Sequence, residues 1–201
     1  MQTIQESDVD TMLYDFWGAL INGNEKIVKF LLLSGVDRNG ADPFGGMWTP
    51  LVLCVIVGYT EMVDLLIKAG ADLNKEAPGG SDGTLEGTTP LVQACASGNI
   101  HIVKMLINAG VDINQQSSKS KQTALMKAVL GKEREIVLCL LKAGADTTIK
   151  DAKGYIARSH AKFLEDPEYS GELMTILWNY EKGCVCEEVW DGNPKTAWFF
   201  I

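Results

Sequence analysis

The chain has 201 residues, 46% of them apolar and 22% charged, with a formal net charge of −8. That length suffices for one well-cored domain or one stack of short units, in a composition typical of globular proteins. The acidity argues against nucleic-acid binding through phosphates, which takes clustered Lys and Arg, and no apolar run approaches the ~20 residues needed to cross a bilayer.

Four copies of one phrase follow each other down the chain: Ile27 to Gly35, Met62 to Gly70, Ile102 to Gly110 and Ile136 to Gly144. Their closing glycines lie 35, 40 and 34 residues apart. A period of that size predicts stacked units, each burying its apolar face only against its neighbours. Such arrays are surfaces for holding other molecules more often than pockets for chemistry.

The first unit, near residues 11–37, starts its helix at Tyr14-Asp15-Phe16 and reads as an N-terminal cap. In the second, near 47–74, Thr49-Pro50-Leu51 begins a helix: threonine caps the first free amides, and proline suits the first helical position. That helix closes at Gly58, and a more apolar second helix follows with its hydrophobic residues in adjacent pairs, Met62/Val63 and Leu65/Leu66. A stripe so wide suits a helix wedged between two neighbours. Gly70 then stops it in the left-handed conformation, and Asp72-Leu73-Asn74 leads away as a turn.

The third unit, near 87–114, repeats this with Thr89-Pro90-Leu91, Gly98, Gly110 and Asp112-Ile113-Asn114. The fourth, near 121–148, starts at Thr123-Ala124-Leu125 and ends its second helix at Gly144. In a decayed fifth, near 154–180, Ile156-Ala157-Arg158 stands at the start, and Glu165-Asp166-Pro167-Glu168 interrupts the helix pair. Residues 183–201 lie outside this grammar. Trp190, Trp198, Phe199, Phe200 and Ile201 are too apolar to be left in water, so the segment either caps the last unit or engages a partner.

Thr-Pro-Leu, a glycine at the end of the first helix, and the Leu-Leu-x-x-Ala-Gly-Ala-Asp-x-Asn of residues 65–74 together resemble the ankyrin repeat. The resemblance implies an all-α solenoid of about five helix-turn-helix units with atypical end units, covering residues 1–182, followed by a capping tail at 183–201. The family usually carries His after Thr-Pro-Leu; Val52, Val92 and Met126 stand there instead, so apolar packing is expected in place of its hydrogen bonds. The five cysteines, odd in number and widely spaced, do not form a disulfide framework. Cys54, Cys95 and Cys139 read as small core residues in a reducing, cytoplasmic setting, and neither end shows a secretory leader.

In ankyrin arrays a concave face is built from the fingers between units and the exposed sides of the first helices. By position, this implies Trp48, Ile56 and Val57 in the second unit, and Leu85, Glu86, Thr88, Ala96 and Ser97 in the third. Lys119, Gln122, Leu130 and Gly131 follow in the fourth, with Ile21 and Asn22 in the first. Trp48 is either an interface anchor, a residue type that dominates binding energy, or folds back on Phe44 and Met47 to pack its own finger. The seven residues added between the second and third units, in the stretch Ala77 to Gly87, are either a binding finger or a tolerated loop.

No constellation of nucleophile, base and orienting group is recognisable around His101 or His160. Gly79, Gly80, Gly83 and Gly87 lack the lysine and strand–helix context of a phosphate loop. Cys184-Val185-Cys186 has no second ligand pair for zinc. The sequence therefore predicts no catalysis, cofactor, metal or small-molecule substrate. Residues 165–191 hold eight acids against Lys182, so a partner guided by charge, through Glu187 and Glu188 among others, is expected to be a protein with a basic surface. An inhibitor that sits over a basic active site, as an immunity protein does, fits these features; an adaptor that tethers proteins without blocking them is the alternative.

Overall fold

A threonine side chain begins each of three helices, accepting a hydrogen bond from the backbone three residues on: Thr49 from Val52, Thr89 from Val92 and Thr123 from Met126, at 3.2–3.4 Å. The structure is a computed structural model describing residues 6–45, 47–77 and 87–182. These hold ten helices and no extended sheet. They are α1 (Glu6–Ile21), α2 (Glu25–Leu33), α3 (Pro50–Val57), α4 (Thr60–Lys68), α5 (Pro90–Ala96), α6 (Ile100–Asn108), α7 (Ala124–Leu130), α8 (Arg134–Lys142), α9 (Ala157–Lys162) and α10 (Pro167–Glu181). Each unit is a pair, α1–α2 through α9–α10.

The odd helices form an inner row and the even ones an outer row. Every inner helix packs on the next inner helix, and α2, α4, α6 and α8 do the same outside. The inner row packs the more extensively. The core is one continuous seam. Val63, Val103 and Val137 from the outer helices and Leu51, Leu91 and Leu125 from the inner ones are at most 2% exposed. Val52, Val92 and Met126 are equally buried, so apolar packing fills the positions where the family usually has histidine. Cys54 and Cys95 lie in the same seam, and burial pushes both thiols up, Cys54 to about 12; neither is a nucleophile at neutral pH.

Between units a polar ladder runs along the turns. Asp37, Asp72, Asp112 and Asp146 each accept from the amide two residues on. Asn39, Asn74 and Asn114 then each accept from the backbone of the next unit's aspartate, at 2.8–2.9 Å. Thr148 stands where the next asparagine would be, and the ladder stops there. The repeated Asp-x-Asn is thus what joins one turn to the next.

The end units depart from the sequence expectation in two ways. Helix α1 starts at Glu6 rather than at Tyr14. Tyr14 has no capping side chain to start a helix, and Met12 and Leu13 pack on the core ahead of it. In the fifth unit Asp166-Pro167 opens a 15-residue helix: Asp166 accepts from the amides of Glu168 and Tyr169, both at 3.1 Å. The expected tail at 183–201 lies outside the described residues.

Among the described residues, two with side chains occupy the left-handed region, Lys121 at φ 54° and Lys132 at φ 60°. Lys132 stands at the inner-to-outer turn that Gly58 and Gly98 occupy in the units before it, at φ 82° and 69°. An L-residue there costs about 1–2 kcal/mol. Its carbonyl accepts from the Tyr169 hydroxyl, a bond that any residue keeps. Lys132→Gly is expected to raise stability by about 1 kcal/mol in denaturant unfolding; unchanged stability would show that the turn carries no strain.

Candidate protein-binding face

The last turn of each inner helix presents the same register position. It falls seven residues after the helix-starting position: Ile56 after Thr49, Ala96 after Thr89, Leu130 after Thr123 and Phe163 after Ile156. Ile21 holds that place in α1. All five are exposed, Ile21 by 51% and Phe163 by 63%, and Val57 and Ser97 beside them are exposed too. An unbroken row of aliphatic and aromatic side chains with one small step at Ala96 therefore runs the length of the inner face.

Two edge-to-face aromatic pairs stand at its ends. Tyr14 meets Phe44 with ring centroids 5.6 Å apart, and Tyr155 meets Phe163 at 5.4 Å. The sequence reading missed Phe163 and Tyr155 because it carried the inner-face register only through the fourth unit, although it had placed the start of the fifth at Ile156. Counting seven from Ile156 and one before it would have found them. Tyr14 and Phe44 carried no such signal, since their pairing depends on how the first finger folds onto α1.

Trp48 is half-buried and packs against the core, while Phe44 takes Tyr14 as its ring partner. Thr88 corrects an expectation. It is 8% exposed, because its backbone and that of Ala77 exchange hydrogen bonds of 2.9 and 3.0 Å that close the third finger at its base. Its side chain is thereby removed from the surface. Leu85, Glu86, Glu187 and Glu188 lie outside the described residues.

The fourth finger is shaped by Ser117, whose amide donates to the Gln122 carbonyl at 3.0 Å and whose hydroxyl accepts from the Gln122 amide at 3.2 Å. That hairpin displays Lys119 and Lys121. Lys119, Ser120 and Gln122 form one wall of a groove whose other wall is Asp151, Ala152 and Lys153 of the fifth finger.

Asp151 holds that fifth finger. Its carboxylate accepts from the amides of Tyr155 and Lys153, at 2.8 and 2.9 Å, and from His160 Nε2 at 2.9 Å. Burial pushes its carboxyl up, but these three hydrogen bonds outweigh the burial and hold it below the ordinary carboxylate range. A lowered pKa in the fold gives stability that is present above the unfolded value, about 3.9, and is lost as pH falls through the folded one. Asp151→Asn is therefore expected to be less stable than wild type at neutral pH. The gap should close as the pH drops below about 4; a gap constant across that range would assign the loss to packing.

The sequence profile described as ankyrin repeats (3 copies) matches residues 16–77 and 78–151. The chain is an ankyrin repeat protein. Among curated proteins it is similar to Ankyrin repeat and SAM domain-containing protein 6 of Rattus norvegicus, with 39% identity over 173 residues. It is 36% identical over the same length to the protein of that name from Mus musculus. The aligned stretch is 86% of this chain but only 15% of either relative. As an all-α ankyrin stack, the chain is a protein–protein interaction module. Among the described residues of the ankyrin stack no helix is long and apolar enough to cross a membrane.

Proposed function

We propose that the chain is a non-enzymatic docking module that holds a segment of a partner protein along its inner face, and that it acts as an adaptor. The observation that carries this is the exposed row of Ile21, Ile56, Val57, Leu130 and Phe163, bracketed by the two aromatic pairs. Apolar side chains repeated in register along one face of a monomer mark an interaction site. The curated relatives favour an adaptor, since by name they carry a SAM domain beside their ankyrin repeats. An inhibitor uses the same face and differs only in what happens to the partner's activity.

The net charge of −8 suggested a basic partner surface, but three of the five described acids at the C-terminal end, Asp166, Glu172 and Glu181, are engaged within the fold. Glu172 pairs with Arg134, Glu181 with Arg158 at 3.4 Å, and Asp166 caps α10. A partner on the inner face meets the charge of that face rather than of the chain.

Ile56→Asp combined with Leu130→Asp places two charges in the row at positions open to water, where the fold tolerates them. Partners captured by the wild-type chain are expected to be lost by this variant, with affinity down at least about 100-fold for a purified partner, while a Lys68→Ala control retains them. If the double variant binds as before, the inner face is not the interface. The partner's own activity, measured with and without the chain, tells the roles apart: an adaptor leaves it intact and an inhibitor abolishes it.

A further inference from the structure

The distribution of charge along the chain is not the −8 of its total. Between residues 117 and 163 ten lysines and arginines face four acids, whereas residues 1–116 hold six against fourteen and residues 164–201 two against eight. The basic stretch spans the fourth unit, the fifth finger and α9. Within it, Arg134 and Arg158 are paired with acids of α10. Among the described residues no acid pairs with Lys121, Lys127, Lys132 or Lys153.

These unpaired lysines sit where the candidate face lies. Lys121 is on the fourth finger and Lys153 on the fifth, both exposed, and Lys127 is half-buried on the inner helix α7. Lys132 follows in the turn after α7. The nearest acids do not cancel them: both oxygens of Asp151 are engaged by Tyr155, Lys153 and His160, and the Glu133 carboxylate lies against Gly98 of the neighbouring turn. Among the lysines stand the exposed apolar residues Leu130, Tyr155 and Phe163.

We propose that the inner face of units four and five takes an acidic segment of a partner protein, with its carboxylates on Lys121, Lys127 and Lys153 and one large apolar side chain against Leu130, Tyr155 and Phe163. Charge complementarity selects the occupant: lysines that lack an acidic partner are matched by an anionic ligand. The apolar component excludes a ligand held by charge alone. A long polyanion such as nucleic acid is disfavoured because it would run from the patch onto the first three units, where residues 1–116 hold six basic against fourteen acidic side chains. This rests on the docking role proposed above and narrows it to a partner class.

The test screens a display library of short random peptides against the full chain. The winners are then measured as fluorescent peptides at roughly 0.05 and 0.3 M salt. The expected winners are rich in Asp and Glu around one Leu, Phe or Trp. Their affinity should fall about five- to tenfold at the higher salt, and at least tenfold in the Lys121→Glu/Lys153→Glu double variant, whose thermal unfolding should match wild type. Leu130→Asp should abolish binding. If Leu130→Asp abolishes binding and the lysine reversals leave it unchanged, the face is an interface but the acidic class is wrong. If neither changes it, both readings fail. Winners that are neutral or basic, no winners at all, tighter binding of a single-stranded oligonucleotide, or displacement of the winners by a peptide of residues 183–201 would each overturn the proposal, the last by showing that the chain fills this face itself.

Discussion

Leu106→Ala is expected to lower the stability of the stack by about 3–4 kcal/mol and to split its unfolding into two transitions. Leu106 is fully buried in α6, and α6 packs against α4 on one side and α8 on the other. Removing its branched end strands both contacts at once, because the flanking helices are held by their own neighbours and cannot collapse into the gap. In a stack, stability is the sum of each unit's own free energy and its nearest-neighbour interfaces. The units of such an array are individually unfavourable and are carried by those interfaces, so weakening both interfaces of the central unit uncouples units one and two from units four and five. Denaturant unfolding followed by circular dichroism should then show two steps, each with a smaller slope than the single wild-type transition, since each exposes less surface. One transition with an unchanged slope would mean that coupling through the inner row alone, α3 to α5 to α7, keeps the stack cooperative.

What the sequence disclosed was whatever is decided locally. A threonine cap, a left-handed glycine and an apolar pair each act within a few residues, and their repetition fixed three of the five units with their helix ends. The Asp-x-Asn turn was legible as a turn. Its role as a ladder was not, since the partner of each asparagine lies one whole unit away. Thr88 was misplaced for the same reason: its burial comes from a bridge to Ala77, across the inserted residues. The inner-face row was readable from register in the units that keep Thr-x-Leu and stopped short of Phe163, in the unit whose marker had changed. Charge was the least legible, because a total does not say which acids are already engaged. Arg134 with Glu172 and Arg158 with Glu181 join residues 38 and 23 positions apart, and only folding shows that they neutralise each other and leave Lys121, Lys127, Lys132 and Lys153 without an acidic partner among the described residues.

Trp17→Ala is expected to cost about 3–5 kcal/mol, and to do so by releasing the first unit alone. Trp17 is 1% exposed and is the largest fully buried side chain among the described residues. It holds the register of Val52, Val92 and Met126, so the first unit fills with one indole a site that the inner units fill with an aliphatic chain. Its Nε1 is buried and finds no acceptor among the described residues, an orphaned donor that itself costs about 1–3 kcal/mol. The tryptophan is therefore kept for volume despite its nitrogen, which separates two substitutions. Trp17→Phe loses part of the ring but also removes the stranded donor, and should stay within about 1 kcal/mol of wild type. Trp17→Ala loses the volume and leaves a cavity that α2 and α3 cannot both close. Because the first unit meets the rest of the described stack through the second alone, its loss leaves the interfaces from α3 onward untouched. Limited proteolysis of Trp17→Ala should cut within residues 6–45 and leave a resistant fragment that begins near Thr49. If Trp17→Phe proved as damaging as Trp17→Ala, the nitrogen would be bonded and the site built for indole. If Trp17→Ala were digested throughout, the first unit would support the whole stack rather than cap it.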